Sequence, residues 1–470
     1  MKHIRLLLLV FALWGSATAQ TGKPVRLEFP AERYSTELQR VLCDTLGVCV
    51  LYPSVVNDSS YCHILQYDVN MVKTNESRFP LAERLWVTAS AFSRDRLYIL
   101  CQKTNKKKKE PEGLLVTYDM ASHALDQRPV NGLPASDIHN FTVRGGNILF
   151  TAYVNSNQTN LFFLPKGETS TQALRLTNAP DYTIDDFVAA DDGSGATVCV
   201  NTSPNSKNNV LWLCETDMAG LPLRVVDFPD TGENRYQNAR LTRMGDGSFL
   251  IAGTYQLRKT SGNTATGIYA IRYDAHRFGT PQEYPFKHTL AASRNNSDVL
   301  FLAGRIYPSD SLCAFVTESF YPEYRYTTTY SYGVPTTEPV FMGYRFIDAE
   351  IHLFDTSGTR IWNYSMPFDN LMVTNLTTHL RVSFLPSYII YYYTLNQTLT
   401  TMLTDFQFNL LDPIRTSELF PSTTSKGPVS YNIALSPWYG NNFILSGYRF
   451  RQGSAKSKMP VYFLNKLRYE

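Results

Sequence analysis

After its first twenty residues the chain has no long hydrophobic run, and it carries little excess charge of either sign. No stretch beyond Trp14 approaches the roughly 20 apolar residues that a membrane helix needs, so a membrane-spanning helical protein is not expected. Lysine and arginine number 44 against 41 aspartates and glutamates, leaving a net charge of +3. In a chain of 470 residues that balance gives no electrostatic reason to expect nucleic acid, an anionic membrane surface or a strongly acidic substrate. Motifs for common chemistries are missing too. Mature histidines (His63, His123, His139, His276, His288, His352, His379) are scattered, with no His-x-x-x-His pair and no Cys-x-x-Cys, so neither a metal site of the usual spacing nor a cofactor is expected. There is no Gly-x-Ser-x-Gly elbow and no Gly-rich phosphate loop.

What the chain does have is β-forming sequence. Charged residues are only 18% of the chain, hydrophobic residues 43%, and Tyr (30) and Phe (27) are abundant, which favours a strand-rich globular protein over a disordered or coiled-coil one. At the N-terminus, Lys2 and Arg5 precede an apolar run from Leu6 to Trp14 and the small-residue sequence Ala17-Thr18-Ala19. That is the pattern of a secretory signal peptide over residues 1–19, cleaved before Gln20. Export to the periplasm or cell surface follows as an expectation. The first cysteine is Cys43, too far from the apolar run for a lipoprotein anchor.

Seven cysteines in an exported chain allow up to three disulfides. Cys199 and Cys214 are the best candidate pair: "GATVCVNT" and "NNVLWLCE" flank a polar turn, and a hairpin would set them roughly opposite. Cys43 and Cys49 flank "DTLGV" in a similar way, and buried apolar thiols are the alternative for all of them.

A polar or Gly turn followed by an apolar strand recurs along the chain: "GVCVLYPS", "RDRLYILCQ", "GGNILFTAYV", "GSGATVCVN", "GDGSFLIAGTYQ", "SDSLCAFVTES", "SYIIYYYT" and "GNNFILSGY". The first five start about 50 residues apart, the spacing of propeller blades built from four antiparallel strands. A second phrase often closes in aromatic-Asp, and Asp68, Asp119, Asp274 and Asp355 read as turn residues that accept backbone amide hydrogen bonds. The last unit lacks an outer strand, while "PVRLEF" near the N-terminus has no partner. The reading is an all-β single β-propeller over residues 20–470, with eight blades and seven as the alternative, closed by that N-terminal strand.

The repeat is interrupted at about residues 319–346 by "SFYPEYRYTTTYSYGVPTTEPVFMGYRF". Long insertions inside a repeat are often functional. Tyr321, Tyr324, Tyr326, Tyr330 and Tyr332 offer flat apolar faces with polar tips, suited to sugar rings or partner proteins. Two expectations stand for this segment: a contact surface packed over one rim of the ring, or an extended hairpin folded over that rim.

"AGTYQ" with "GIYAIRYD", then "ESFYPEYRYTTTYSYG" leading into "FMGYRFIDAEIHLFDTSGTRIWN", and finally "WYGNNFILSGYRF" with "VYFLNKLRYE", resemble a group of exported Bacteroidota proteins. The likeness spans most of the mature chain and is strongest from Gly245 onward. It implies a propeller and export, and it carries neither a reaction nor a catalytic residue to this sequence. Between "YPFKHTL" and "NNSDVLFLAG" the chain is shorter than those relatives, which have a longer charged segment there.

Few residues suggest chemistry. "TIDDFV" places Asp185 and Asp186 side by side on an innermost strand, where alternation of side chains would let only one line the central channel. Converging acids are how some propellers hydrolyse glycosidic bonds, but their Ser-x-Asp-x-Gly-x-x-Trp turns are absent. "DDGSG" at Asp191 reads as a tight turn, since it lacks the further ligands of a calcium loop. The run Lys106 to Lys109 reads as a solvated loop, and sequons such as those at Asn57 and Asn140 as compositional. The functional expectation is a non-catalytic binding or scaffold propeller of the cell envelope that contacts a protein or glycan through rim loops. The alternative is a carbohydrate-active or peptide-cleaving propeller whose acids converge at the channel mouth.

Overall fold

"GATVCVNT" is the strand Gly195–Thr202, and every residue of it is buried. A strand covered on both faces shows a continuous apolar run instead of alternation, and that condition holds wherever a sheet is sandwiched between two neighbours. The outermost strand of the same sheet, Pro222–Asp227, is mostly exposed. Each recurring unit of the sequence follows this gradient from covered interior strands to a solvated edge.

The computed structural model describes residues 25–30, 38–82, 85–103, 113–155, 158–176, 182–202, 210–229, 232–258, 265–286, 299–331, 334–395, 397–419, 430–451 and 459–469. The signal-peptide segment, the Lys106 to Lys109 run and Tyr332 lie outside them. The described residues form eight antiparallel sheets of four or five strands. Seven follow chain order from inner to outer strand. The eighth takes three strands from the C-terminal end and one, Val25–Pro30, from the N-terminal end. That strand runs antiparallel to Met459–Arg468, from Val25 opposite Lys466 to Pro30 opposite Val461.

Eight apolar clusters join these sheets face to face in sequence. Tyr118 and Leu51 lie between the first and second sheets, Phe150 and Leu115 between the second and third, and Phe443 and Ile390 between the seventh and eighth. The eighth and first sheets are joined by Phe29, Ile444, Leu464, Val48 and Val50. Every sheet thus buries both faces against neighbours, the packing of an all-β propeller.

All seven cysteines are buried free thiols. The expected Cys199–Cys214 bridge is not formed, and the register explains why. Cys199 stands opposite Leu213 and Cys214 opposite Val198. A one-residue offset turns two side chains to opposite faces of a sheet, so Cys199 packs toward the fifth blade and Cys214 toward the third. Cys43 and Cys49 are likewise free, in the cluster between the first and second blades.

Three of the four singled-out turn aspartates act as expected. Asp68 Oδ1 accepts from the amides of Asn70 and Val72, Asp119 Oδ1 from Ala121 and Ser122, and Asp355 Oδ1 from Ser357 and Thr359, all between 2.8 and 3.1 Å. Asp217 and Asp405 do the same in their own blades. Asp274 differs. It begins a two-residue turn in which Ala275 and His276 have φ of 45° and 62°, so the backbone closes the hairpin directly, and its carboxylate turns to Arg272 at 3.3 Å.

Candidate functional site

Three of the innermost strands share a device that the repeated phrases do not show. Asn140, Asn238 and Asn432 have φ of 50°, 54° and 53°, each inside a register break of an inner strand. Asparagine tolerates this left-handed conformation better than most residues. The resulting bulge bends the strand and redirects the side chains that follow. Asn140 and Asn238 also donate to Thr151 and Thr254 on the adjacent second strands, at 3.4 and 3.0 Å.

In the fourth blade the inner strand Tyr182–Ala189 breaks register between Ile184 and Asp186, with Asp185 as the extra residue. Strict alternation would have turned one of the two aspartates away. Because of the bulge, both line the same cavity. Their oxygens are committed to the neighbouring strand Asn234–Arg243: Asp185 Oδ2 accepts from the Ala239 amide and Asp186 Oδ2 from the Leu241 amide, each at 3.0 Å. Asp186 Oδ1 accepts from the Phe187 amide at 2.9 Å, and Asp185 Oδ1 from Thr183 Oγ1 at 3.3 Å. Burial pushes the Asp185 carboxyl up to about 6 and Asp186 upward as well, while Arg240 draws both back down. Arg240 ties a third blade to this pair, donating from Nε to Gly304 O at 3.0 Å and from Nη1 to Asp185 O at 2.5 Å. The two acids therefore brace adjacent inner strands, and among the described residues no histidine lines the cavity beside them.

That cavity, about 940 Å³ in volume, runs along the inner strands of the third to sixth blades and reaches Arg381 of the seventh. Its wall carries Arg144, Arg240, Arg243, Arg305 and Arg381 against Asp185, Asp186 and Asp191. Sequence reasoning missed the arginines because they come from four blades, with only Arg240 and Arg243 of the five sharing a strand. Arg243 pairs with Asp191 at 2.7 Å. In "DDGSG" itself, Asp192 Oδ1 accepts from the Ser194 amide at 2.9 Å, the hydrogen bond of a tight turn. Among the described residues no group of three or more His, Cys, Asp or Glu could hold a metal ion, and no helix is long and apolar enough to cross a membrane.

The tyrosine-rich insertion is a continuation of two strands of the sixth blade. Leu312–Ser331 and Val334–Asp355 are 20 and 22 residues long and stay paired from Leu312 opposite Asp355 to Ser331 opposite Val334. Flanking strands accompany them only as far as Phe320 on one side and Tyr344 on the other. Beyond that the hairpin is a two-stranded ribbon, and residues 324–329 and 335–342 are exposed throughout. The expectation that this segment packs over a rim is corrected accordingly: a strand packed over the ring would have one covered face, and here both faces meet solvent.

Register sorts the ribbon into two unlike faces. Tyr324 stands opposite Phe341, Tyr326 opposite Pro339 and Thr328 opposite Thr337, which places aromatic and proline residues together. Arg325 opposite Val340, Thr327 opposite Glu338 and Thr329 opposite Thr336 form a mostly polar second face. Tyr324 is 51% and Tyr326 72% exposed, whereas Tyr321, nearer the blade, is half-buried. Tyr330 pairs with Pro335 in the ladder. The exposed rings connect to the core through edge-on contacts, Tyr324 to Phe341 at 5.7 Å, Phe341 to Tyr344 at 5.1 Å and Tyr344 to Phe320 at 5.6 Å. Pro322, Pro335 and Pro339 remove amide donors along the ribbon, a defence against edge-to-edge pairing with other strands.

No protein-family profile matches the chain, and no curated protein sequence matches it. Among solved structures it is similar to the periplasmic gluconolactonase PpgL of Pseudomonas aeruginosa, at 11% identity and a TM-score of 0.42, covering 79% of this chain and 96% of that one. It is also similar to the WD40 domain of SCAP from fission yeast, at 8% identity and a TM-score of 0.41, covering 95% and 98%. A third is the β-propeller domain of the Trilobed protease from Pyrococcus furiosus, at 7% identity and a TM-score of 0.35, covering 82% and 96%. Function has to be read from this chain's own surfaces.

Proposed function

We propose that this propeller is a non-catalytic binding module of the bacterial cell envelope, exported by its N-terminal leader, which holds a protein or glycan partner through the ribbon of the sixth blade. One observation carries the reading: Tyr324, Tyr326, Pro339 and Phe341 share one face of a projecting ribbon and are not needed to complete the blade. Exposed aromatic patches cost solubility and usually mark contact surfaces. Tyrosine brings a large rigid area and a hydrogen-bonding tip at little entropic cost, as suits a sugar ring or a proline-bearing segment. The cavity acids favour this reading over catalysis, because their oxygens already accept backbone amides of the next strand.

The test is a Tyr324→Ser/Tyr326→Ser double variant, used as bait against envelope extracts and against insoluble envelope polysaccharide. Recovery of the protein partner or of the polysaccharide should fall by about tenfold or more, while far-ultraviolet circular dichroism and melting temperature stay as they were. Undiminished recovery in both arms would overturn the ribbon as the contact surface. Fractionation of the producing cells tests envelope location separately.

A further inference from the structure

We infer that the cavity at the inner strands is a binding site for a small oxyanion-bearing ligand, held by the guanidinium groups of Arg305 and Arg381 with Arg240 fixed behind them. These residues belong to the inner strands of three consecutive blades, Asn234–Arg243, Leu300–Pro308 and Arg381–Phe384. All three line the same cavity. Arg240 is held between Asp185 O and Gly304 O, which fixes its position against two neighbouring strands. Arg305 is exposed to the cavity and makes no hydrogen bond or ion pair among the described residues, and Arg381 has one long contact, to the Tyr307 hydroxyl at 3.5 Å. Their donors are therefore open to a ligand.

The charge balance selects an anion. Five arginines face three aspartates in the wall, and of the three, Asp191 is paired with Arg243 while Asp185 and Asp186 are turned to the amides of Ala239, Leu241 and Phe187. A concave site lined by one excess sign concentrates ligands of the other sign. Guanidinium presents paired N–H donors in the geometry of carboxylate, phosphate and sulfate oxygens. Thr242, Thr377 and Thr378 add hydroxyls to the lining. The volume of about 940 Å³ is that of a small-molecule site and too small for a folded partner. Net charge for the whole chain, +3, conceals this concentration because the arginines are spread over distant parts of the sequence.

The experiment is isothermal titration of the mature protein with inorganic phosphate, sulfate, glucuronate and citrate, with glucose as the uncharged control. At least one anion should bind saturably in the millimolar range or tighter, weakening as sodium chloride is raised, and glucose should not bind. Preference for phosphate or sulfate over the two carboxylates would identify an ester headgroup, and the reverse an organic acid. Arg305→Ala and Arg381→Ala should each weaken binding by about tenfold or more, and Arg325→Ala, on the ribbon, should leave it unchanged. Absence of saturable binding for all four anions would overturn the site, as would binding indifferent to Arg305 and Arg381 in folded variants. Since Tyr324 and Tyr326 lie outside the cavity, the outcome is independent of the ribbon's role.

Discussion

Asp186 Oδ2 accepts the backbone amide of Leu241 at 3.0 Å, across the gap between two inner strands 55 residues apart in sequence. Its other oxygen takes the Phe187 amide. Asp186→Ala would leave two amides of the cavity wall without acceptors, and unpaired buried donors cost about 1–3 kcal/mol each. The variant should unfold at lower urea concentration, by about 2 kcal/mol or more in unfolding free energy, while retaining partner recovery through the ribbon. Unchanged stability in the folded variant would show that these amides do not depend on Asp186 and would overturn its bracing role.

Glu318 leads to a pH prediction. It is fully buried, its Oε1 accepts from the amides of His379 and Leu380 at 2.7 Å each, and burial raises its carboxyl from 4.5 to about 7 even though those amides and Arg381 pull it down. A carboxyl whose folded-state pKa is raised holds its proton in the native state after the unfolded chain has released it. Its contribution to stability is therefore present below about 4.5 and is lost as pH rises toward about 7. Glu318→Gln keeps the accepting oxygen and removes the titration. The stability of the variant relative to the native protein should rise between those two pH values and level off above them. His352 and His379, held low by burial, act in the opposite direction but are common to both proteins and cancel in the comparison. A variant less stable than the native protein at pH 8 would show that the ionised carboxylate is the stabilising form.

Legibility in the sequence followed the range of the interactions. The turns at Asp68, Asp119 and Asp355 were readable because an aspartate meets its amide donors two to four residues on. The strands were readable because burial on both faces leaves a continuous apolar run. The Cys199–Cys214 pairing failed on a register offset of one residue, which a hairpin's approximate symmetry does not reveal. Asp185 and Asp186 were seen, but alternation gave the wrong geometry, since the bulge between Ile184 and Asp186 depends on pairing with the next strand. The recurrence of Asn140, Asn238 and Asn432 was the available signal for such bulges, hidden among many asparagines. Arg240, Arg305 and Arg381 had no signal at all, because only the ring brings them to one cavity.

The thiols give a third prediction. All seven cysteines are buried and unbridged, and burial pushes the thiols of Cys101, Cys214 and Cys313 up to about 12. Thiolate is the reactive form, so the native protein should resist a thiol-specific reagent at pH 8 and react at seven sites once unfolded. Reductant should not change the melting temperature. Fewer than seven reactive thiols in the unfolded, unreduced protein, or a lower melting temperature on reduction, would mean that a bridge forms.

The pairing of the first described strand with the last predicts how the ring is held. Phe29 lies edge-on to Tyr67 of the first blade, centroids 5.9 Å apart, and beside Tyr462 of the eighth at 6.3 Å. Glu28 accepts from Arg26 at 2.7 Å and from Arg449, and Arg26 lies over the Phe463 ring at 4.9 Å. Removing residues 23–30 would strip these contacts together and leave the edge from Val461 to Lys466 without its partner. An open edge is also a template for pairing with another chain. The truncated protein should therefore melt at lower temperature and associate at high concentration. Phe29→Ala isolates the packing share: it keeps the strand and its ladder, and loss of one buried phenyl ring should cost about 3 kcal/mol or more. Thermal melts of both proteins, with light scattering for the truncation, check the expectation. A truncated protein that melts like the full mature chain and stays monomeric would show that the last blade stands without its N-terminal strand.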